Sequence, residues 1–121
     1  MTLIHEVGHW MGLYHTFRGG CGGYGDGVHD TADEAEPNFD CVEVDSCPTY
    51  PGVDPIENYM DYTDDLCMNH FTQGQFKRMQ RQWDIYRSSS PFAPHHTLNS
   101  LNDIGGIISS SLRGHHGKND H

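Results

Sequence analysis

Two helices joined by long, disulfide-tied loops are the architecture the sequence predicts, on three observations. Helical start signals and 3.6-residue periodicity occur in two places, over Thr2–Leu13 and from about Gln73 to Tyr86. Between them stand glycines at 19, 20, 22, 23, 25 and 27 and prolines at 48, 51 and 55, which interrupt regular structure. All four cysteines, Cys21, Cys41, Cys47 and Cys67, fall in that same interval. An even number of cysteines in a polar stretch with little core of its own points to two disulfides and an oxidising compartment.

The first helix carries the chemistry. His5 and His9 lie four apart and so project from one helical face a turn apart, while Leu3, Val7, Trp10 and Met11 are available to pack elsewhere. Glu6 stands beside the first of these histidines, placed to take a proton from a water at a metal. Gly12 permits a left-handed exit from the helix, and that turn brings His15 round as a third ligand. Three protein ligands leave a fourth position open, which is the pattern of a catalytic rather than a structural zinc site. The alternative, an amphipathic helix with decorative surface histidines, leaves the fixed spacing of five motif positions unexplained.

The loops are strongly acidic. From Asp26 to Asp65 there are 13 Asp or Glu and no Lys or Arg, within a chain of 121 residues and net charge −10. Most of these carboxylates read as a solvated face. The balance excludes nucleic acid as a partner, since a phosphate backbone needs a basic footprint. The cysteine spacings lack the tight CxxC pairs of a structural zinc site, and four cysteines permit three pairings, all open at this point. His29 and His70 read as surface or supporting residues.

Regular structure restarts at Thr72, whose partner three residues later, Gln75, completes a capping box, with Phe71 positioned to staple the entry. Phe76, Met79, Trp83 and Tyr86 form the apolar stripe of the helix that follows, which reads as scaffold. After Ser88-Ser89-Ser90-Pro91 the composition turns to Ser, Gly, Asn and His. Residues 88–121, with His95, His96, His115, His116 and His121, read as a disordered tail without a functional role.

Four strings together, HEVGHWMGLYHTF, GDGVHDT, NYMDYTDD and CMNHFTQGQFKRM, give the chain a resemblance over residues 1–87. It resembles the metzincin metalloproteases, which join HExxHxxGxxH to a methionine-containing turn. Within them it looks like the pappalysin group, particularly its secreted microbial and fungal members. The resemblance implies an α+β catalytic domain, of which residues 1–87 are the C-terminal subdomain; the sheet and helices that precede the zinc helix in the family are absent here. It implies His5, His9 and His15 as zinc ligands, Glu6 as general base, Met60 as the floor beneath the metal and Tyr62 as oxyanion stabiliser. It favours the interleaved disulfides Cys21–Cys47 and Cys41–Cys67. It also suggests calcium in the loop holding Asp26, Val28, Asp30 and Thr31, though no EF-hand spacing is present.

The function expected from this resemblance is that of a secreted zinc endopeptidase acting on protein or peptide substrates, as a monomer with no membrane partner. No charged start and apolar run of a signal peptide precedes the motif. Some relatives favour a basic residue just after the scissile bond, for which Asp64 or Asp65 offers opposite charge. The alternative expectation is a zinc- and calcium-binding fragment without turnover, because the upper half of a substrate cleft is missing.

Overall fold

The computed structural model describes residues 3–86 and 100–105. Helix α1 spans Leu3–Trp10 and helix α2 spans Gln73–Tyr86. Helix α1 is shorter than the Thr2–Leu13 expected, with Thr2 outside the described residues. It stops because Gly12 adopts φ +100°. The Gly12 amide donates to the His9 carbonyl at 3.0 Å and the Leu13 amide to the Gly8 carbonyl at 2.9 Å. These two bonds form a Schellman closure, which satisfies the last carbonyls of the helix and reverses the chain. From the other side, Arg78 Nε of α2 donates to the Gly12 carbonyl at 2.9 Å.

Helix α2 begins on a reciprocal capping box. Thr72 Oγ1 accepts from the Gln75 amide at 3.0 Å, and Gln75 Oε1 accepts from the Thr72 amide at 2.8 Å. Between the helices the chain forms turns and loops. Among the described residues its β pairing is an isolated parallel bridge between Asn58 and His70, so the sheet of an α+β domain has no counterpart here. Cys21 bonds Cys47 and Cys41 bonds Cys67, each across 26 residues. Loop closures of that length each contribute about 3–4 kcal/mol in the chain-entropy account.

The core lies between the turn 58–62 and α2. Met60 and Met79 are fully buried, joined by Met11, Leu13, Phe71, Phe76 and Trp83. Three of the apolar residues expected to pack are instead exposed: Leu3 at 78%, Tyr86 at 70% and Trp10 at 41%. Each sits at a helix end, beyond the stretch of helix the core covers. A second difference concerns the expected tail. Residues 101–105 are helical, Ser100 Oγ donates to Asp103 at 3.2 Å, and Ile104 is buried in the core. Ser100 and Asp103 have capping-box spacing, a signal that local composition obscured. The rest of the expected tail, including its five histidines, lies outside the described residues. No helix of the described residues is long and apolar enough to cross a membrane.

A Cβ at Gly12 would lie 2.5 Å from Cγ of Gln82, in a backbone conformation that side chains resist. Gly12→Ala is therefore expected to lower unfolding free energy by about 1–3 kcal/mol, measured by denaturant melts. Adding Gln82→Ala should recover the packing part of that loss and leave the backbone part.

Candidate metal centre

The turn at Gly12 brings three imidazoles to one place. One ligand-capable atom from each of His5, His9 and His15 lies within 4.8 Å of the others, and this is the one such group of three among the described residues. Ring orientation follows from backbone carbonyls. His5 Nδ1 donates to the Tyr59 carbonyl at 2.5 Å, and His9 Nδ1 donates to the Leu13 carbonyl at 2.9 Å. A carbonyl only accepts, so each Nδ1 carries the hydrogen and Nε2 keeps the lone pair that could bind a metal. Carbonyl partners of this kind are the usual outer support of metal-ligating histidines. His9 Nε2 and His15 Nε2 lie 3.0 Å apart. With His9 in that tautomer, the pair needs either a proton or a cation between them. A soft-to-borderline ion such as zinc fits this donor set.

Burial also prepares two of the histidines, His5 and His15, to be neutral. His5 is fully buried, and desolvation lowers its pKa; the Tyr59 carbonyl opposes that without reversing it. His15 is lowered to about 4, first by desolvation and then by His9 and His5. A neutral imidazole is the form that binds a metal.

The other residues named from the sequence stand around the three histidines as follows. Glu6 is exposed on α1, one residue after His5. The Tyr62 ring stacks near His5 at 5.8 Å and meets His15 edge-on at 4.9 Å. Phe17 stacks on His15 at 4.6 Å and lies 5.0 Å from Tyr62. Met60 sits beneath, and a Cβ on Gly8 would fall 2.5 Å from its sulfur. Only a glycine in α1 allows that approach. Beside Tyr62 opens a cleft of about 520 Å³, walled by Phe39, Leu66 and Met68 with Asp64 and Asp65 exposed at its rim.

The loop suggested for calcium shows a partial match. Thr31 Oγ1 donates to Asp26 Oδ2 at 2.6 Å and also approaches the Val28 carbonyl at 3.0 Å. The Val28 amide donates to Asp26 Oδ1 at 3.1 Å. Asp30 leaves this group. Its carboxylate accepts from Thr72 Oγ1 at 2.5 Å and the Gly74 amide at 2.9 Å, so it caps α2 instead.

Sequence reasoning missed the framework that holds the turn. Asn58 and Gln75, both fully buried, exchange amide bonds at 2.7 and 3.0 Å, and Asn58 Oδ1 also accepts from the Met60 amide at 2.9 Å. The capping box announced Gln75, but no sequence signal paired it with Asn58. Glu34 and Asp61, also fully buried, likewise read as surface acids in the sequence.

The Peptidase M43 family, described as pregnancy-associated plasma protein-A, matches residues 1–84. The chain is similar to extracellular metalloprotease 1 of Coccidioides posadasii, 58% identical over 88 residues that cover 72% of this chain and 32% of that protein. It is also similar to an extracellular metalloprotease of Neurospora crassa, 53% identical over 90 residues, 74% of this chain and 32% of that protein. Among solved structures, mature mirolysin of Tannerella forsythia in complex with a cleaved peptide aligns with TM-score 0.58 at 43% identity, covering 69% of this chain and 33% of that one. The chain thus spans about a third of the length of the relatives it matches.

Because His5 and His15 have folded pKa values below the usual 6.5, the unfolded chain takes up protons first as pH falls. The contribution of these two histidines to the stability of the metal-free chain should therefore be complete above pH 6.5 and be lost between about 6.5 and 4. Urea melts across that window check this, and His15→Gln should reduce the slope.

Proposed function

The chain belongs to the pappalysin-like Peptidase M43 family, and from that premise we propose that it is the metal-binding C-terminal part of a secreted zinc endopeptidase catalytic domain. The observation that carries the proposal is the convergence of the three imidazoles over the buried Met60, with Tyr62 against two of them. His5, His9 and His15 would hold one zinc ion through nitrogens oriented by backbone carbonyls. When bound, that ion supplies Lewis acidity, polarising a peptide carbonyl and acidifying a water.

The chain's own residues supply the rest. Glu6 takes the proton of the attacking water and returns it to the leaving amine. The Tyr62 hydroxyl donates to the peptide oxygen as it gains charge. The aromatic ring of Phe17 on His15 shields that side of the site from water. The cleft beside Tyr62 takes the side chain that follows the scissile bond, and the rim acids Asp64 and Asp65 favour Lys or Arg there.

Peptidase assays on an unfolded protein substrate and a peptide library test this reading, using the oxidised chain with zinc. Activity should be abolished by chelation and by Glu6→Ala, with one zinc per chain retained in the variant. Tyr62→Phe should lower kcat by about 100-fold or more with little change in KM. Cleavage before Lys or Arg should dominate and weaken when Asp64 and Asp65 become Asn. Zinc binding without turnover in any form would sink the peptidase reading for this chain.

We also propose that Asp26, the Val28 carbonyl and Thr31 hold a calcium ion. These are hard oxygen donors already gathered in one loop, and burial raises the Asp26 pKa, a strain that a bound cation relieves. Calcium should raise the melting temperature of the wild type and leave that of Asp26→Asn unchanged. Equal melting temperatures with and without calcium in the wild type would discard this site.

A further inference from the structure

Beneath Tyr62 lies a group of acids that neither the metal nor the substrate cleft uses. Glu34 and Asp61 are fully buried and Asp54 is 2% exposed, and no Lys or Arg occurs anywhere from residue 26 to 65. Every surrounding donor is a neutral group. Glu34 accepts from Thr16 Oγ1 at 2.7 Å and from the Asn38 side-chain amide. Asp61 Oδ1 accepts from the backbone amides of Asn38, at 3.1 Å, and Tyr62, at 2.8 Å. Asp54 accepts from Ser46, at 2.7–2.8 Å, and from Asn38 Nδ2 at 2.8 Å.

One acceptor remains. Asp61 Oδ2 is buried, and no N–H or hydroxyl donor among the described residues reaches it. The Glu34 carboxyl lies beside the Asp61 side chain and interacts with it. Two buried carboxylates side by side without a cation repel strongly, and a single proton between them removes both problems at once. Among the described residues these acids do not form a group of three with mutually close ligand atoms, as the histidines do.

We propose that Glu34 keeps its proton at neutral pH and donates it in a hydrogen bond to Asp61 Oδ2, so that the acid pair clamps the turn carrying Met60 and Tyr62 to the segment that follows His15. The role of that turn rests on the peptidase reading above, but the clamp does not require turnover. Glu34 thereby acts as a positioning residue. Through Thr16 it holds the chain one residue beyond the third histidine, and through Asp61 it holds the amide of Tyr62.

The titratable groups that face the pair are Asp54, across Asn38, and His15, whose imidazole feels the Asp61 charge. Burial first, and Asp61 second, push Glu34 up to about 9, while Thr16 and Asn38 pull it down. The folded state then holds a proton that the unfolded state releases above the ordinary value of 4.5. Stability from this group is complete below 4.5 and is lost as pH rises to about 9.

Infrared spectra and pH-dependent unfolding of the oxidised, zinc-loaded 121-residue chain test the clamp. At pH 7 the wild type should show the carbonyl stretch of a neutral carboxylic acid that disappears in Glu34→Gln. The wild-type unfolding constant should rise up to tenfold per pH unit between pH 7 and about 9, and Glu34→Gln should remove that slope. The Gln side chain still donates to Asp61, so this variant should keep the fold where Glu34→Ala loses it. A wild type lacking the neutral-acid band overturns the proposal whether or not any variant folds. So does an unchanged slope in Glu34→Gln. Both readouts are blind to peptide cleavage, so an inactive chain with the band present overturns the peptidase reading and leaves the clamp standing.

Discussion

The reversal of the chain at Gly12 is the constraint on which the rest of the structure depends. A helix continued past Trp10 would carry His15 away from His5 and His9. The left-handed residue ends α1 and exposes the Leu13 carbonyl to His9 Nδ1. One backbone conformation therefore fixes the tautomer of the second imidazole and returns the third. It also creates the surface on which α2 docks, since Arg78 bonds the Gly12 carbonyl and Gln82 packs where a Cβ would stand. The geometry of the three histidines and the helix packing are thus set by the same few atoms.

The helices share little direct contact, and much of their coupling passes through the turn between Asn58 and Tyr62. Its upper side meets α1, where Gly8 admits the Met60 sulfur and the Tyr59 carbonyl holds His5. Its lower side meets α2, where Asn58 is paired with Gln75. Gln75 has two tasks in consequence: its oxygen caps α2 at Thr72 and also receives Asn58. A buried amide pair of this kind is fully satisfied only in one register, so the start of α2 and the floor of the metal centre are aligned together.

Legibility in the sequence followed the range of the interaction. The histidine spacing, the glycine exit and the Thr72–Gln75 capping box are all local, and each could be read from neighbouring letters. What required the folded chain was pairing across distance. Asp30 looked like a metal ligand because it sits among Asp26, Val28 and Thr31, yet it serves a helix that begins more than forty residues later. Leu3 and Tyr86 fit their apolar stripes but lie at helix ends that the core does not cover. Ile104 sits in a polar, serine-rich segment and reaches the core through a single helical turn. Glu34 and Asp61 were hidden among many solvated acids, since burial leaves no mark on composition.

The electrostatics of the histidine cluster explain why an acidic chain keeps His5 and His15 neutral. Protonating His15 is opposed by desolvation, His9 and His5, and favoured by Asp61 and Glu6; the opposing effects win. A proton on one imidazole meets the other two as competitors for the same space. A single divalent ion meets all three as donors, and it gains the attraction of Asp61 and Glu6 at twice the charge. The features that keep protons off the cluster therefore favour a metal there, provided Asp61 stays charged. A proton resident on Glu34 fits that arrangement, because it relieves the repulsion between the two buried carboxyls while Asp61 still favours positive charge at His15.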